Sequence, residues 1–527
     1  TDAISKLLNL APKMARVLRD NQEKNVPVEE VKKDDVVIVK AGESIPVDGV
    51  IISGSASIDE SALTGESLPV DKKEGDKAIG ATINRNGYFK MRVTKTGDET
   101  VLAQIVKLVD EATSSKAPIA NLADRVSGVF VPIVIGIAFI AAIIWLLLGS
   151  TFEFALSIGI SVLVISCPCA LGLATPTAIM VGTGQGAING ILFKSAKALE
   201  TTHELQTIVF DKTGTITEGK PVVTDIFPLQ DTENDLLQIA ASLESLSEHP
   251  LAQAITTSAK EKNLSFLEVE KFTQVAGQGI SGIIDGKKIL AGNLKMMTEN
   301  QIETTSANFL DNSPNGGKTT LYFAQDNRLI GIIRVADVIK DTSKEAIEEL
   351  NQMGLQTIML TGDNETTARS IAKKAGIRNV IAEVLPADKE HEIQKLQNQG
   401  QKVAMVGDGI NDAPALARAD VGIAIGAGTD IAIDSADVVL MKSQLTEVST
   451  AIRLSKATIK NIKENLFWAF IYNIIGIPIA AGIFYPAFGF KLSPMIGALA
   501  MSFSSVFVVT NALRLRFFSA RHSNHKN

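Results

Sequence analysis

Four stretches of this chain carry no charged side chain: residues 126–152, 154–193, 465–490 and 492–513. Each is long enough to cross the hydrocarbon core of a bilayer, which takes about 20 apolar residues in a helix. One such run could be the buried helix of a soluble core. Four of them, arranged as two close pairs in a chain that is 46% hydrophobic, predict two helical hairpins in lipid. Lys116, Arg125, Lys194, Lys197, Lys460, Lys463, Arg514, Arg516 and Arg521 flank the outer ends of the pairs, whereas the intervening turns carry only Glu153 and Lys491. Cations collect on the cytoplasmic side of membrane helices, so both termini and the long polar segments are expected in the cytoplasm of a multi-pass protein, with membrane lipid as a partner.

The net charge of −7, with no basic stripe interleaved with aromatics, argues against nucleic acid as a partner. Cys167 and Cys169 are the only cysteines and both lie in an apolar run, so a disulfide framework is excluded. Residues 3–18 read as an amphipathic helix, and Thr1 in place of a methionine leads to the expectation of an N-terminally truncated chain.

Residues 26–93 hold short β-type runs broken by glycine, such as Val36-Val37-Ile38-Val39 and Val50-Ile51-Ile52, and predict a small β domain. Beyond the first hairpin, apolar strands are predicted at 207–210, 356–360, 403–406 and 421–425 with helical segments between them. That alternation gives a parallel, doubly wound α/β sheet. Residues 222–334 differ in texture and read as an inserted α+β domain. The expected division is 1–123 for the β domain with flanking helices and 124–199 for the first transmembrane hairpin. The α/β domain takes 200–221 and 335–457, the second hairpin 458–516 and a cytoplasmic tail 517–527.

The chemistry collects at the ends of the predicted parallel strands. Asp211-Lys212-Thr213-Gly214-Thr215 follows one, Thr361-Gly362-Asp363 a second, and Gly407-Asp408-Gly409-Ile410-Asn411-Asp412 a third. In an open α/β sheet, ligands bind beyond the carboxyl ends of the strands. Phosphoryl transfer needs carboxylates for Mg²⁺, hydroxyls and cations for the phosphoryl oxygens, and glycines for close backbone approach. These loops supply each part: Asp211 is the candidate covalent nucleophile, Lys212 neutralises part of the charge, and Lys389 is the second cation. Gly-Asp turns are common and any one loop alone is weak evidence; three after successive strands are strong. Glu66, in Thr64-Gly65-Glu66-Ser67, reads equally as a turn residue or as a general base directing water.

Cys167-Pro168-Cys169 lies inside the second charge-free run. Thiols two apart on a regular helix point to nearly opposite sides, but Pro168 removes a backbone donor and distorts the turn, which lets the sulfurs converge. Soft thiolates so placed suit Cu(I), although cysteines also pack as small hydrophobes beside kinks. Tyr472-Asn473, and Met501 with Ser504 and Ser505 at i, i+3 and i+4, add polar and thioether groups to the second hairpin, where such residues also serve helix packing. No complete phosphate-binding loop of the Gly-x4-Gly-Lys-Ser/Thr type occurs: Asn312 stands where the first glycine of Gly317-Lys318-Thr319 would be. Gly182-Thr183-Gly184-Gln185-Gly186 follows an apolar span rather than a strand, so a dinucleotide oxidoreductase is set aside.

With Asp211-Lys-Thr-Gly-Thr, Thr64-Gly-Glu-Ser, Thr361-Gly-Asp, Gly407-Asp-Gly-Ile-Asn-Asp and Cys167-Pro-Cys in one chain, the sequence resembles the heavy-metal-transporting P-type ATPases over nearly its whole length. Tyr472-Asn473 and Met501-x-x-Ser504-Ser505 resemble the copper(I)-exporting bacterial branch of that family. The resemblance implies a multidomain membrane protein of the cell membrane. Its parts would be a β actuator domain, a haloacid-dehalogenase-like phosphorylation domain, an inserted nucleotide-binding domain and transmembrane hairpins. ATP and Mg²⁺ are the implied cofactors and Cu(I) the implied cargo, with a copper chaperone as candidate donor. Asp211 would accept the γ-phosphoryl group. Asp211, the Thr213 backbone and Asp408, supported by Asp412, would hold Mg²⁺; Thr361 and Lys389 would contact the phosphoryl oxygens. Glu66 would direct the water of dephosphorylation. In the inserted domain Glu244, His249, Gly277, Gly279, Gly292 and Asn293 would bind nucleotide, with Ser247-Glu248-His249-Pro250 matching the adenine-site motif. Cys167, Cys169, Tyr472, Asn473, Met501 and Ser505 would carry the metal.

Four earlier spans and a soluble Cys-x-x-Cys domain are usual in the family and do not occur in this sequence, so partial reactions rather than full transport are expected of the chain as it stands. The rival expectations are a pump for Ag(I), Zn(II) or Cd(II), a membrane-anchored phosphatase of the haloacid-dehalogenase type, and a non-transporting metal-binding membrane protein.

Overall fold

The computed structural model describes residues 12–19, 22–60, 69–115, 117–167, 169–247, 250–275, 278–304, 318–363, 365–385, 388–408, 412–426 and 435–519. The chain forms two compact units: Thr1–Leu205 with Asp420–Ser443 and Glu447–Asn527, and Gln206–Ala419 with Gln444–Thr446.

In the first unit an antiparallel sheet runs in the order Gln22–Pro27, Met14–Arg19, Val36–Val39, Ile83–Lys95, Asp48–Asp59 and Val70–Lys72, with Lys77–Ala78 also paired to Asp48–Asp59. Phe89, Met91 and Val93 alternate on one face of their strand and are buried with Val37, Val39, Ile51 and Ile58. The helix expected over 3–18 is corrected at its described end. Met14–Arg19 is a strand, paired with 22–27 and 36–37, and its buried residues, Ala15 and Val17, recur at period two. A six-residue window of mixed polarity fits both periods, and pairing with two neighbours decides for the strand. Asp48 accepts hydrogen bonds from the backbone N–H groups of Gly80 and Val101, both at 2.7 Å, tying the sheet to the first turn of α1 (Val101–Ser114). Burial raises its pKa, and the two N–H donors oppose that rise.

The same unit holds the long apolar helices α2 (Pro118–Leu147), α3 (Phe152–Ile165), α4 (Cys169–Ile188), α5 (Thr446–Ala480) and α6 (Pro494–Leu513). Among the described residues, two helices are long and apolar enough to cross a membrane, Ala123–Leu147 and Pro494–Phe517. The other two charge-free runs are built differently. Residues 154–193 divide into α3 and α4 around Ser166 and Cys167, where the sequence places Pro168 and so lacks a backbone donor. Residues 465–490 supply the later turns of α5, whose earlier turns carry Lys456, Lys460, Lys463 and Glu464, and the short helical turn Tyr485–Phe488 beyond it. Ala123, Ala170, Ala174 and Ala469 pack with Val508, small side chains that let helices approach closely. Polar groups at this depth are satisfied across helices: Trp145 Nε1 donates to the Ala481 carbonyl and Ser161 Oγ to that of Leu492, both at 2.9 Å. Val129, Phe139, Leu147 and Phe503 point outward, as lipid-facing side chains would. Val421–Ile425 and Val438–Leu440 pair in parallel, and the latter pairs antiparallel with Ile191–Phe193.

The second unit contains four parallel strands in the order Asn379–Ile381, Gln356–Leu360, Thr207–Asp211 and Val403–Gly407. The central residues of Gln356–Leu360, Thr207–Asp211 and Val403–Gly407 are buried, as their continuous apolar runs require, while the edge strand Asn379–Ile381 is only half-buried. Between the third of these strands and the helix Ser343–Gln352 the chain makes a six-stranded antiparallel sheet. Its order is Thr217–Pro228, Arg328–Ile339, Thr319–Gln325, Lys287–Gly292, Gly279–Ile284 and Glu270–Val275. Helices Glu233–Glu244 and Pro250–Glu261 cover one face, burying Leu237, Leu243 and Ile255 against Ile280, Phe323 and Ile333. The insertion expected at 222–334 therefore begins and ends inside two paired strands, Thr217–Pro228 and Arg328–Ile339.

Candidate active site

Asp211 closes its strand and is 7% exposed. Lys389, at the start of the helix Lys389–Asn398, places its Nζ 2.6 Å from Asp211 Oδ1 and 2.7 Å from Asp412 Oδ1. The cation bridges two carboxylates from different strand ends. Burial pushes the Asp211 carboxyl up to about 6; Asp412 and Asp408 add to the rise, while Lys389 pulls against it. Asp412 also shifts upward, chiefly by burial, and its Oδ2 is buried without a hydrogen bond. Lys212, the residue after Asp211, turns to Asp363, with Nζ to Oδ2 at 2.9 Å, and Thr361 Oγ1 accepts from the Asp363 N–H at 3.1 Å. The first and second loops are thus joined by an ion pair and the first and third through Lys389. Gly407 is where the backbone must lie close: a Cβ there would be 2.3 Å from Asp412 Oδ2.

Asp211 and Asp408 are both carboxylates of this strand-end cluster, and Thr213 lies in the turn that leaves Asp211. No group of three His, Cys, Asp or Glu side chains in metal-binding geometry occurs among the described residues. Mg²⁺ is held through one or two carboxylates, waters and phosphate oxygens, so two carboxylates and a backbone carbonyl suit it. Asp412 Oδ2 lacks a hydrogen bond, and the Asp412 and Asp408 charges add to the rise that burial imposes on Asp211, so a divalent cation here would meet uncompensated carboxylate charge. These residues fit Mg²⁺.

A cavity of about 320 Å³ opens in the six-stranded sheet, lined by Glu244, Ser247, Gln278, Gly279, Gly292 and Asn293 among others. A Cβ at Gly279 would meet the Ala291 carbonyl oxygen at 2.1 Å, so the two strands close on each other only with glycine there. Asn293 caps the short helix behind it by accepting from Met296 N–H at 3.1 Å. Glu244 is buried, and burial alone pushes its carboxyl up to about 7, with no cation among the described residues to pull it back. Thr320 Oγ1, in the same lining, is buried and makes no hydrogen bond. His249 and Gly277 lie outside the described residues, as does Glu66.

In the membrane-type helices Ser166 Oγ donates to the Val162 and Leu163 carbonyls at 2.6 and 3.1 Å, filling the ladder interrupted before Cys167. The side chain of Cys169 is outside the described set. Asn473 and Met501 are buried, while Ser505 Oγ donates to the Met501 carbonyl at 3.4 Å. Tyr472 is 38% exposed and lines an outer apolar cavity with Trp468, Phe503 and Ser504, on a different face from Asn473.

Residues 9–110 match the P-type ATPase actuator domain, and residues 205–420 match the haloacid dehalogenase-like hydrolases. The crystal structure of a zinc-transporting PIB-type ATPase in its E2·Pi state is 35% identical, with a TM-score of 0.68, and the match covers 97% of this chain and 83% of that one. The chain belongs to the P-type ATPase family. A second crystal structure of a zinc-transporting PIB-type ATPase, in another state, matches with a TM-score of 0.61 at 34% identity, over 97% and 84% of the two chains. Copper-exporting P-type ATPases of Staphylococcus aureus, strains JH9 and Newman among them, are 54% identical over 521 residues. The chain spans 64% of the length of these curated relatives.

In this P-type ATPase one group of residues about the Asp211 loop had no sequence motif. Asp337, near the end of the strand Arg328–Ile339 that returns from the inserted sheet, and Lys340 and Ser343 just after it all bond to residues 214–219. Their signal in the sequence is only the polar break in Arg334-Val-Ala-Asp337-Val-Ile-Lys340, which strand pairing brings back beside Thr217.

Proposed function

We propose that the chain carries the catalytic machinery and part of the membrane path of an ATP-driven Cu(I) exporter of the cell membrane that works through an aspartyl-phosphate. The observation that carries this reading is the joining of Asp211, Lys389 and Asp412 at one strand edge by contacts of 2.6 and 2.7 Å. Copper enters from the copper-exporting relatives that are 54% identical to the chain and from the presence of both Cys167-Pro168-Cys169 and Met501 in the sequence. Residues 1–123 would be the actuator, 200–221 with 335–457 the phosphorylation domain, and 222–334 the nucleotide-binding domain.

In this reading an Asp211 carboxylate oxygen forms a bond to the γ-phosphorus of ATP as the bond to the bridging oxygen breaks and ADP leaves. Lys389 moves its charge toward the phosphoryl oxygens, and Thr361 donates its hydroxyl to them. Lys212, fixed by Asp363, holds the loop in place. Mg²⁺, when bound by Asp211, Asp408 and the Thr213 backbone with Asp412 in support, supplies neutralisation of the phosphate charge. Glu66 orients the water whose oxygen bonds to phosphorus as the bond to Asp211 breaks, releasing inorganic phosphate, passing the water's proton to Glu66 and returning Asp211 to the free carboxylate. The cavity at Glu244, Gly279, Gly292 and Asn293 takes the adenine end of the nucleotide, and His249 and Gly277 share in its binding. Cargo passes Cys167, Cys169, Asn473, Met501 and Ser505, with Tyr472 flanking, and a copper chaperone delivers it.

The test is acid-stable labelling of membranes from γ-labelled ATP, with and without Cu(I), comparing the chain with Asp211→Asn and Cys167→Ala. Label that needs Asp211, and responds to copper only when Cys167 is present, is the expected result. Activation by Zn²⁺ instead of Cu(I) would move the cargo to the divalent class of the 35% identical structure. Hydrolysis of small phosphomonoesters without ATP-derived label would replace the pump with a phosphatase.

A further inference from the structure

The turn that carries the nucleophile's flank is held from outside its own loop. Gly214, at φ +73°, reverses the chain after Asp211-Lys212-Thr213, and its carbonyl accepts a hydrogen bond from Lys340 Nζ at 2.8 Å. Lys340 is 6% exposed, so this ammonium is committed to the protein interior rather than to solvent. Its own backbone N–H donates to the Ile216 carbonyl at 3.1 Å, and Ser343 Oγ donates to that carbonyl at 2.8 Å. On the far side of the turn Asp337 accepts from the Gly219 N–H at 2.9 Å and from the Thr217 hydroxyl. Gly219 comes so near that a Cβ on it would be 3.0 Å from Gly214 Cα. Three side chains from one segment thus grip both limbs of the turn, and that segment is the end of the Arg328–Ile339 strand and the residues just after it.

The charge on Lys340 also lies within reach of the metal-binding side of the site. A Cβ at Gly214 would be 3.4 Å from Asp408 Oδ2, and the Asp408 charge is among those that Lys340 feels. The cation therefore sits behind the turn while the carboxylates sit in front of it. A backbone carbonyl drawn toward Lys340 cannot face the phosphoryl oxygens, which it would repel.

We propose that Lys340 is a positioning residue for phosphoryl acceptance: its ammonium pins the Gly214 carbonyl and so fixes the Thr213–Gly214 backbone beside Asp211, with Asp337 and Ser343 anchoring the same turn. The inference rests on the reading of Asp211 as the phosphoryl acceptor. It makes the shape of the nucleophile loop depend on the strand that returns from the nucleotide-binding sheet, since Lys340 belongs to that return.

The test uses the full chain in membranes, with Lys340→Met, Lys340→Gln, Lys340→Arg and, as control, Lys344→Gln. Lys344 is a surface lysine 3.9 Å from Glu348 and outside the site. Removing a buried charged donor from its acceptor should slow phosphoenzyme formation in the methionine variant by roughly tenfold to a hundredfold. Affinity for ATP, set in the separate cavity at Glu244, should stay within about twofold, and the arginine variant should recover most of the rate. The glutamine variant, which keeps a donor without the charge, should lie between methionine and wild type and covers the case in which methionine does not fold. Equal rates for Lys340→Gln and wild type, or an arginine variant as slow as methionine, would overturn the positioning role. Loss of ATP affinity in step with the rate would reduce Lys340 to general support of the fold. Absence of label in the wild-type chain would overturn the acceptor reading itself and this inference with it, an outcome distinct from label that is indifferent to Lys340.

Discussion

Two buried carboxylates in the same unit are both pushed up by desolvation, but among very different neighbours. Asp211 sits among charges, with Lys389 at 2.6 Å and Asp412 sharing that lysine, and its carboxyl still rises to about 6 because burial and two acidic neighbours outweigh one cation. Glu244 lines a cavity with uncharged polar and apolar neighbours, and burial alone lifts it to about 7, with no charge of the described residues acting on it. The first arrangement keeps a charged group available and invites another cation. The second turns an acid into a neutral hydrogen-bond donor near physiological pH, which suits contact with a ring nitrogen or carbonyl rather than with phosphate.

The largest expected effect separates the two sites outright. Asp211→Asn should abolish acid-stable label from ATP while leaving nucleotide affinity at the Glu244 cavity intact; residual label in this variant would place the acceptor elsewhere. Lys389→Met should come next. Leaving Asp211 and Asp412 buried without their shared cation costs about 3–5 kcal/mol, read as a drop in denaturation midpoint. A variant as stable as wild type would mean that the carboxylates take up protons at no penalty and that the ion network is not what distinguishes this site.

Glu244→Gln tests the other half of the comparison. The folded state keeps its proton up to about pH 7, whereas an ordinary glutamate releases it near 4.5. Its contribution is therefore full below about pH 4.5 and is lost as pH rises through about 7, on the order of 3 kcal/mol in total. The glutamine variant should lack that part of the pH dependence, measured by denaturation of the full chain across this window. An unchanged profile would show that Glu244 ionises normally and that the contrast with Asp211 is false. The smallest effect is expected from Gly407→Ala, where the new methyl must push Asp412 aside at about 1–3 kcal/mol and slow phosphorylation without touching ATP affinity.

The legible parts of the site were those that follow strands directly. Asp211, Thr361 and Asp408 come immediately after or near the ends of apolar runs, and a parallel sheet brings such ends to one edge whatever the intervening length. Lys389 could be named because a second cation was needed, but its bridge to both Asp211 and Asp412 depends on where its helix starts. Lys340 escaped notice because its partner is a carbonyl, and carbonyls leave no trace in a sequence. In the membrane-type helices the charge-free runs marked location but not continuity. The break at Ser166-Cys167 follows from a single proline, while the half-polar course of α5 follows from helix propagation through Lys456 and Lys463 beyond the apolar run.

Composition and spacing alone determined that this chain has apolar helices, a small β domain, a parallel sheet with three acidic loops and an insertion, because period and charge are local properties of the chain. Tertiary structure decided which charges face one another: that Lys212 serves Asp363 and not Asp211, that Lys389 is shared, that burial alone shifts Glu244, and that Tyr472 and Asn473 look in different directions. The physical reason is range. Hydrophobic period acts over a few residues, whereas the energy of a buried charge depends on every group within several ångströms, and those groups come from segments up to 178 residues apart.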